Sequence, residues 1–478
     1  MKLKELLSGI PVLETNVDLE LEVCAVAHDS RKVTPGSLFV AITGFAADGN
    51  RFIPMALEKG ACAVVTARKP ESDIPYVLVP SDRLALALIG DNFYGHPGKA
   101  MTMIGITGTN GKTSSTLLLK HILETVLGAK VGLIGTMENL IGDEVVPTER
   151  TTPESFELQG LFARMRDAGC THMVMEVSSH ALSLERVGGV RYDVAAFTNL
   201  TEDHLDFHGT MEDYCDAKAL LFGRCGKAVF NCDDPWYGRV SAQAACPVLT
   251  TSVHGNGGLC AQDVQMLSDG IAFTAVGGGE AVPVRLPIPG KFTVYNAMTA
   301  LGIAMQLGIS LADAAKALES AKGVKGRVEV VPTPGKPYTV LIDYAHTPDG
   351  LENVLSSVKD FCRGRLIAVF GCGGDRDRTK RPIMGRIGTE IADIAIVTSD
   401  NPRTENPMEI IRDITAGIDS RANNYEVIEN RIEAIHHAMD IGQKDDIIVL
   451  AGKGHETYQE ICGVKHHLDE REVVAAYL

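Results

Sequence analysis

Short apolar runs alternate with helical and turn-rich stretches over most of the 478-residue chain. In the N-terminal part the runs predict buried strands, and the segments among them predict helices. The strands are expected at residues 36–42, 62–67 and 75–80, and the helices at 51–60 and 83–95. The segment HPGKAM, at 96–101, predicts a linker. We therefore expect a first α/β domain over residues 1–98.

The next part of the chain opens with the apolar run MTMIGIT, a glycine-rich turn and a helix pattern over 112–128. Further strands are predicted at 172–177 and 194–200, and their alternation with helices indicates a mostly parallel sheet. Residues 250–290 are rich in glycine and carry apolar residues at alternate positions, which predicts a small β meander. A central domain with these two parts is expected over residues 99–325.

The C-terminal part repeats the alternation of strand and helix. Strands are expected at 338–343, 365–371, 391–399 and 446–452, and helices at 348–359, 380–391, 407–418 and 430–440. This order predicts a Rossmann-like domain over residues 326–478. The expected fold class is therefore α/β with three domains.

Composition narrows the class of protein. Hydrophobic residues make up 45% of the chain and charged residues 22%, as in ordinary globular proteins, and the net charge is −16. That charge argues against general binding to nucleic acid or membrane surfaces, although an anionic substrate remains open. There is no signal-peptide pattern and no apolar run near the ~20 residues that span a bilayer. The 11 cysteines form no CxxC motif, so we expect a reduced cytoplasmic compartment and no structural zinc. A monomer is the default expectation.

A glycine-rich loop, GITGTNGKTS, lies between a predicted strand and a predicted helix. Its glycines allow backbone N–H groups to face phosphate oxygens, and the helix N-terminus adds positive potential. The glycines stand at 105, 108 and 111, which departs from the standard spacing of a P-loop. The alternative is a turn that only caps a helix. The candidate nucleotide-binding residues are Gly108, Thr109, Asn110, Gly111, Lys112, Thr113 and Ser114.

A candidate metal centre follows from two later strands. Glu176 stands at the end of one, and His204 follows the next, where ligands gather in open α/β sheets. Together with the Thr113 hydroxyl they could hold Mg²⁺, although histidine is an unusual ligand for that ion. His204 could equally cap a helix. Asp203, Asp206 and His208 are also spaced to act as ligands.

The segment TGTNGKTS resembles the P-loop of the Mur ligases and folylpolyglutamate synthetases, a superfamily that joins an amino group to a carboxylate by using ATP. The ordered motifs EVSSHAL, NLTEDHLDFHG, YCDAK, DYAHTPDGLENVL, GGDRDRTKRP, DNPR and GKGHE extend the resemblance to the Mur ligases over residues 105–457. It implies ATP-dependent addition of an amino acid to a UDP-sugar peptide in peptidoglycan precursor synthesis.

The resemblance also implies roles for residues around ATP. Glu176 and His204 would bind a second magnesium ion, and Lys218 would be carboxylated by CO₂ into a further magnesium ligand. Arg327 would contact the γ-phosphate, Asn296 the adenine side and Asp343 the nucleotide from the C-terminal domain. Lys112, Lys218, His204 and Arg327 are the expected catalytic residues. Two cations would offset the repulsion between the γ-phosphate and the carboxylate that attacks it.

For the UDP-sugar peptide, the N-terminal segment HDSRKV resembles the part of the family that binds UDP, with Ser30 as the uridine-side contact. Further contacts to the same substrate, UDP-N-acetylmuramoyl-L-alanyl-D-glutamate, are implied for Thr151, Thr152, Ser178 and Arg186. An arginine suits an acidic sugar peptide because it can hold a carboxylate or phosphate with two hydrogen bonds.

The amino-acid pocket is expected in the C-terminal domain. The resemblance assigns it Arg376, Asp400, Asn401, Arg403, Gly452 and Glu456. In the family, DNPR marks enzymes that add meso-diaminopimelate. The distal carboxylate of that amino acid needs a guanidinium such as Arg403, and its distal ammonium needs a carboxylate such as Glu456. We also expect the C-terminal domain to close when ATP binds, which would keep water from the acyl phosphate.

Three alternatives are left open by the sequence. A lysine-adding ligase of the same family would gain little from Arg403, because lysine has no distal carboxylate. A folylpolyglutamate-type synthetase does not account for the N-terminal block or for DNPR. A non-catalytic dinucleotide-binding module would use GCGGD, at 371–375, as its phosphate turn.

Overall fold

The computed structural model describes residues 1–44, 48–148, 150–267, 270–323 and 325–478. Contacts group them into two compact units. The first unit contains Met1–Ser252, Asn256–Gly258 and Thr299–Ser310, and the second contains Val253–Gly255, Leu259–Met298 and Leu311–Leu478. The boundaries of the three domains expected from the sequence remain predictions.

A five-stranded sheet forms the N-terminal part of the first unit, with the order β1-β5-β4-β3-β2. Its strands are β1 (Glu14–Thr15), β2 (Ala25–Ala27), β3 (Ser37–Val40), β4 (Ala63–Thr66) and β5 (Tyr76–Leu78), and its helices are α1 (Leu3–Leu6), α2 (Ile53–Glu58) and α3 (Asp82–Phe93). Neighbours from β2 to β5 are parallel, and β1 is antiparallel to β5. Two apolar clusters contain residues that alternate along β3 and β4, so both faces of the sheet are buried.

The rest of the first unit is built on strands in the order β13-β12-β11-β6-β10-β7-β8-β9. The strands are β6 (Thr102–Thr107), β7 (Val131–Ile134), β8 (Asn139–Ile141), β9 (Glu144–Val146), β10 (His172–Glu176), β11 (Tyr192–Phe197), β12 (Cys225–Asn231) and β13 (Val248–Ser252). The helices are α4 (Lys112–Leu127), α5 (Ser155–Asp167), α6 (Ser179–Ser183), α7 (Leu205–His208), α8 (Met211–Ala219) and α9 (Tyr237–Val240). Because β6 is parallel to β10 and β11, the carboxyl ends of these three strands share one edge.

The predicted meander lies in the second unit. It consists of the antiparallel strands β14 (Leu259–Leu267), β15 (Gly270–Gly277) and β16 (Glu280–Leu286). Two helices follow, α10 (Lys291–Gln306), which contributes residues to both units, and α11 (Leu311–Leu318). Short 3-10 helices lie elsewhere in the chain at Ser30–Lys32, Gly49–Phe52, Pro97–Ala100, Leu220–Arg224 and Ser241–Gln243.

A six-stranded sheet of order β17-β18-β22-β19-β20-β21 forms the C-terminal part of the second unit. Its strands are β17 (Glu329–Val331), β18 (Thr339–Asp343), β19 (Leu366–Phe370), β20 (Ile394–Val397), β21 (Tyr425–Val427) and β22 (Ile447–Ala451), and β23 (Tyr458–Ile461) and β24 (Val464–His467) form a hairpin. The helices are α12 (Pro348–Lys359), α13 (Lys380–Ile391), α14 (Pro407–Thr415), α15 (Arg431–Ile441) and α16 (Glu470–Ala476). Apolar clusters cover both faces, as a Rossmann-like sheet requires.

Helix bounds in this sheet largely follow the sequence signals. α12 and α13 coincide with the predicted ranges, and the Thr347 hydroxyl caps α12 by accepting the Gly350 amide hydrogen. α14 ends at Thr415, three residues earlier than predicted. Gly417 follows the helix end, and a Cβ atom there would lie 1.9 Å from the Pro382 carbonyl oxygen, so this close packing requires glycine. Within the described ranges, no helix is long and apolar enough to cross a membrane.

Candidate active site

The phosphate loop connects β6 to α4. Gly108 and Gly111 have positive φ angles of 148° and 83°, and a Cβ atom on Gly108 would lie 1.9 Å from the Thr198 hydroxyl oxygen. Only glycine fits such a close approach. The Lys112 ammonium donates to the carbonyl oxygens of Gly108 (2.9 Å) and Thr109 (2.7 Å), so it lies over the loop. The loop and the first turn of α4 thus form a cradle for an anion.

The segment after β11 braces this loop. The Thr109 amide donates to the Asn199 carbonyl oxygen at 2.8 Å, and the Asn110 amide donates to Asn199 Oδ1 at 2.9 Å. The Thr198 hydroxyl donates to the Asn110 carbonyl oxygen at 2.7 Å. Thr198 and Asn199 were not among the expected site residues, although they stand next to the EDHLD motif in the sequence.

Glu176 forms the carboxylate centre at the end of β10, and only 1% of its surface is exposed. It accepts hydrogen bonds from the Thr113 hydroxyl (2.9 Å), the Thr136 amide (3.0 Å) and the Thr136 hydroxyl (2.8 Å). The parallel pairing of β10 with β6 and β7 brings these residues to one edge. The structure therefore brings together two of the expected metal ligands, Thr113 and Glu176. It also shows that Thr136, which was not expected, is a hydrogen-bond partner of Glu176.

Lys218 is a buried lysine on α8 with 1% of its surface exposed. Its ammonium nitrogen donates to the Gly108 carbonyl oxygen at 2.8 Å, which ties the lysine to the phosphate loop. Burial, together with the neighbouring charge of Lys112, lowers the pKa of the Lys218 amine well below its ordinary value. A neutral amine is nucleophilic, so the environment suits reaction with CO₂.

His204 precedes α7 with a left-handed φ of 53°, and its side chain makes no capping hydrogen bond. Its Nε2 atom lies 3.4 Å from Asp203 Oδ2, and its ring lies edge-on to the His180 ring at 4.8 Å. His208 Nε2 lies 2.9 Å from the Ser179 hydroxyl oxygen, and the side chain of Asp206 is outside the described part. Among described residues, no three His, Cys, Asp or Glu side chains form a metal cluster, so the role of His204 as a ligand remains a prediction.

The residues expected to contact the UDP-sugar peptide adjoin the carboxylate centre. The Thr152 hydroxyl donates to the Glu176 carbonyl oxygen at 2.9 Å, and the Thr151 and Thr136 hydroxyl oxygens are 3.1 Å apart. The Ser178 hydroxyl caps α6 by accepting the amide hydrogen of Ala181. The remaining expected contact in this region is Arg186.

Arg186 donates to Glu154 Oε1 at 2.7 Å and to the Thr152 carbonyl oxygen at 3.2 Å. Glu154 also faces Arg83 and Arg150, at 3.5 and 3.4 Å, and it was not expected from the sequence.

A groove of about 930 Å³ nearby is lined by side chains from both parts of the first unit, among them His28, Lys32, Arg150, Glu154 and Arg164. Ser30 is buried between Asp29 and Arg31, which line this groove, and its hydroxyl oxygen lies 3.4 Å from the Met55 sulfur.

A second cluster lies in the second unit, where the parallel strands β18, β22, β19 and β20 end at one edge. The Asn401 carboxamide nitrogen donates to Glu456 Oε2 at 2.9 Å. Gly452 has a φ of 117°, and a Cβ atom there would lie 2.6 Å from Asp400 Oδ2. Burial raises the pKa of the Asp400 carboxyl, but the charges of Lys453 and Arg431 outweigh it, so that pKa lies below its ordinary value.

Arg403 joins the same cluster from a left-handed backbone position, with a φ of 50°. Its guanidinium donates to the Gly374 carbonyl oxygen at 2.7 Å, and its Nε lies 3.5 Å from Glu460 Oε2. The amide of Arg403 donates to the Glu460 carbonyl oxygen at 3.0 Å, so β23 holds the turn in place. Arg376 is exposed on the loop after β19 and donates to the Asp375 carbonyl oxygen, so its expected substrate contact remains a prediction.

The remaining expected nucleotide contacts also lie in the second unit. Arg327 lies over the Tyr344 ring, 5.1 Å from its centroid. Asp343 is buried and accepts the amide hydrogens of Val328 and Ala345, both at 2.8 Å, and burial raises the pKa of its carboxyl. Asn296 is buried in α10. Their contacts with nucleotide remain predictions.

Family models match three stretches of the chain. The Mur ligase family catalytic domain matches residues 22–88, the Mur ligase middle domain 106–304, and the Mur ligase glutamate ligase domain 326–454. A UDP-N-acetylmuramoyl-L-alanyl-D-glutamate--2,6-diaminopimelate ligase from Clostridium tetani is 46% identical, over 99% of this chain and 98% of that protein. The chain belongs to the Mur ligase family.

Solved Mur ligase structures share this fold. A UDP-N-acetylmuramoyl-L-alanyl-D-glutamate--2,6-diaminopimelate ligase structure has a TM-score of 0.75 at 32% identity, covering 100% of this chain and 98% of that one. The MurF ligase from Thermotoga maritima in complex with ADP has a TM-score of 0.63 at 20% identity, covering 95% of this chain and 96% of that one. The second likeness shows the fold alone. The expected three-domain α/β fold class of a Mur ligase is confirmed.

Proposed function

We propose that this Mur ligase adds meso-2,6-diaminopimelate to UDP-N-acetylmuramoyl-L-alanyl-D-glutamate at the expense of ATP. The observation that carries the proposal is the cluster at the carboxyl edge of the C-terminal sheet, where Arg403 and Glu456 are both tied to the Asn401 turn. A guanidinium and a carboxylate held in one polar cluster suit an amino acid with a distal carboxylate and a distal ammonium. Relatives that carry this activity in their names support it.

The phosphate loop would bind the ATP phosphates. The N-terminus of α4 would face the phosphate oxygens, while Asn199 keeps the Thr109 and Asn110 amides and thereby the shape of the loop. Lys112 would turn from the loop carbonyls toward the β- and γ-phosphates. Thr198 and Asn199 keep the loop in shape. The Thermotoga maritima MurF ligase, which shares this fold, was solved in complex with ADP, and this supports a nucleotide as a ligand.

The residues around Glu176 fit Mg²⁺. The Thr113 hydroxyl and the Glu176 carboxylate supply hard oxygen ligands 2.9 Å apart. The buried neutral amine of Lys218 can react with CO₂ to form a carbamate and release one proton, so that the side chain becomes an anion beside Lys112. Bound magnesium would offset the charge of the γ-phosphate and of the carboxylate that attacks it. His204 is proposed as a further ligand.

The reaction would run through two transfers. The D-glutamyl γ-carboxylate attacks the γ-phosphorus and forms an acyl phosphate, while ADP leaves. An amine of meso-diaminopimelate then attacks the acyl carbon, and the tetrahedral intermediate loses phosphate and a proton to leave an amide. Thr151, Thr152, Ser178 and Arg186 would hold the sugar peptide beside the phosphate loop, since their own contacts lead to Glu176. Arg327 would stabilise charge on the γ-phosphate.

Phosphate release tests the proposal. The protein is incubated with ATP, the UDP-sugar dipeptide and either meso-diaminopimelate or L-lysine, with each substrate omitted in turn. Release that needs all three substrates and prefers meso-diaminopimelate is expected. A preference for lysine would reject the assignment of the amino acid, and release of phosphate without any amino acid would reject the ligase. A cytoplasmic location belongs to the proposal, since all described cysteines are free thiols.

A further inference from the structure

Lys453 is a fully buried cation within the GKGHE segment, with none of its side chain exposed. Its ammonium nitrogen lies 3.0 Å from Asn401 Oδ1, 2.7 Å from the Tyr458 carbonyl oxygen and 3.4 Å from Glu456 Oε2. An ammonium group carries three N–H bonds, so these three acceptors use its donors. The side chain is therefore committed to protein groups.

These contacts determine which way the Asn401 carboxamide points. Its Oδ1 atom accepts from the Lys453 ammonium and from the Glu460 amide, which lies 2.9 Å away. Both neighbours can only donate, so the carboxamide nitrogen cannot take the place of Oδ1. That nitrogen consequently faces Glu456, to which it donates at 2.9 Å.

Lys453 also balances the acidic side chains around it. Its ammonium lies 3.9 Å from Asp400 Oδ1 as well as 3.4 Å from Glu456 Oε2. Asp400 and Glu456 are largely buried, with 8% and 15% of their side chains exposed. Without the Lys453 cation, less positive charge would offset the repulsion between these two carboxylates, and they would move apart.

We propose that Lys453 is a positioning residue for amino-acid selection: it orients the Asn401 carboxamide and holds the Glu456 carboxylate where the distal end of meso-diaminopimelate binds. This inference rests on the proposed function and deepens it. Lys453 acts through Asn401 and Glu456 rather than by touching the substrate, because its donors are already used. Its loss should therefore weaken recognition of the amino acid without weakening recognition of ATP.

Steady-state kinetics separate this role from a general loss of structure. Lys453→Met is expected to raise the KM for meso-diaminopimelate about 10- to 100-fold, as for groups displaced by about 1 Å. The KM values for ATP and the UDP-sugar dipeptide are expected to stay within about twofold. Lys453→Arg keeps the charge, but its planar fork does not match the three acceptors, so it should recover only part of the loss.

Arg365→Met is the matched control. It also replaces a cation by methionine, in a residue paired with Asp446 at the start of β19, the opposite edge of the same sheet. This variant should keep the KM for meso-diaminopimelate. A fall in kcat with unchanged KM values in Lys453→Met, or equal KM rises for all three substrates, would overturn the positioning role.

Crystal structures give a readout that needs no turnover. In Lys453→Met the Glu456 carboxylate and the Asn401 side chain should move away from their wild-type positions, whereas in Arg365→Met they should stay. Unchanged positions in Lys453→Met would overturn the inference whatever the kinetics show. If wild-type protein does not use meso-diaminopimelate, the proposed function fails, and the crystal structures still decide whether Lys453 orients its neighbours.

Discussion

The guanidinium of Arg403 faces the carboxylate of Glu460, with Nε 3.5 Å from Oε2. Both side chains are partly buried, with 21% and 26% of their surface exposed. Glu460 therefore restrains the Arg403 side chain. Under the proposed function, it would also compete with the substrate carboxylate for the Arg403 guanidinium. The two substitutions at this pair are expected to act in opposite directions.

Arg403→Ala should raise the KM for meso-diaminopimelate about 10- to 100-fold, because charge-assisted hydrogen bonds contribute about 1.5–3 kcal/mol. The KM for ATP should stay within about twofold. Arg378→Ala is the control, since Arg378 is an exposed arginine of the same sheet domain that pairs with Asp413. Steady-state kinetics with each substrate varied provide the measurement. Equal loss of ATP and amino-acid recognition would assign Arg403 a structural role instead.

Glu460→Gln should lower the KM for meso-diaminopimelate about two- to fivefold, the range expected for a partly exposed charge pair. The glutamine keeps the backbone contacts of β23 to the turn, since these use the Glu460 amide and carbonyl. Kinetics at low and high salt would show the difference shrink as screening increases. An increased KM would mean that Glu460 mainly orients Arg403.

Glu176→Gln should reduce the apparent affinity for Mg²⁺ at least about tenfold, because metal sites depend on such partners. The fold should persist, since the Thr136 hydroxyl can turn to accept a hydrogen bond from the new amide group. Magnesium titration of activity and a thermal melt measure the two effects. Glu144→Gln is the control, because Glu144 pairs with Arg164 at an exposed strand. An unchanged magnesium titration would remove Glu176 from the metal site.

Lys218 should carry a carbamate when CO₂ is present. Protein equilibrated with ¹³C-bicarbonate is expected to show a carbamate signal by NMR that Lys218→Met lacks, and removal of CO₂ should lower activity. Lys120→Met should retain the signal: Lys120 is also buried, but its ammonium is paired with the Glu124 carboxylate. A signal that survives in Lys218→Met would place the modification elsewhere.

Cys225 and Cys246 should form a disulfide when an oxidant such as diamide is added, because their sulfur atoms lie 3.6 Å apart. Burial raises the pKa of the Cys225 thiol to about 12, so the reaction should speed up as pH rises and thiolate forms. The bond should raise the free energy of unfolding by about 3 kcal/mol by restricting the unfolded chain. Thiol counting and melts with and without a reducing agent test this, with Cys225→Ser as the control.

Much of the fold was predictable because periodicity and caps act locally. The alternation of strand and helix predicted the parallel sheets, and α12 and α13 were placed to the residue. Residues that matter through long-range contacts were not predictable. Thr136 meets Glu176 only because β7 and β10 are neighbours, and the sequence separates them by 40 residues.

The burial of Lys453 was unpredictable for the same reason. It stands inside a recognised motif, yet lysines are usually exposed, and nothing in the sequence indicates that this one is buried. Only the packing of the turn after β20 against β23 brings the acceptors of the Lys453 ammonium, Asn401 Oδ1 and the Tyr458 carbonyl oxygen, into place. The closeness of Cys225 and Cys246 was hidden in a similar way, since the two cysteines lie at or just before the starts of neighbouring strands rather than in a CxxC motif.

The left-handed backbone at Arg403 has a consequence for laboratory evolution. A residue other than glycine, asparagine or aspartate costs about 1–2 kcal/mol in that conformation. Libraries screened only for thermal resistance should therefore enrich the substitutions Arg403→Gly and Arg403→Asn. These variants would have a higher melting temperature and yet discriminate poorly between amino-acid substrates. Stability and substrate selectivity therefore favour different residues at position 403. A screen for thermostability should be combined with a selection for the correct amino-acid substrate.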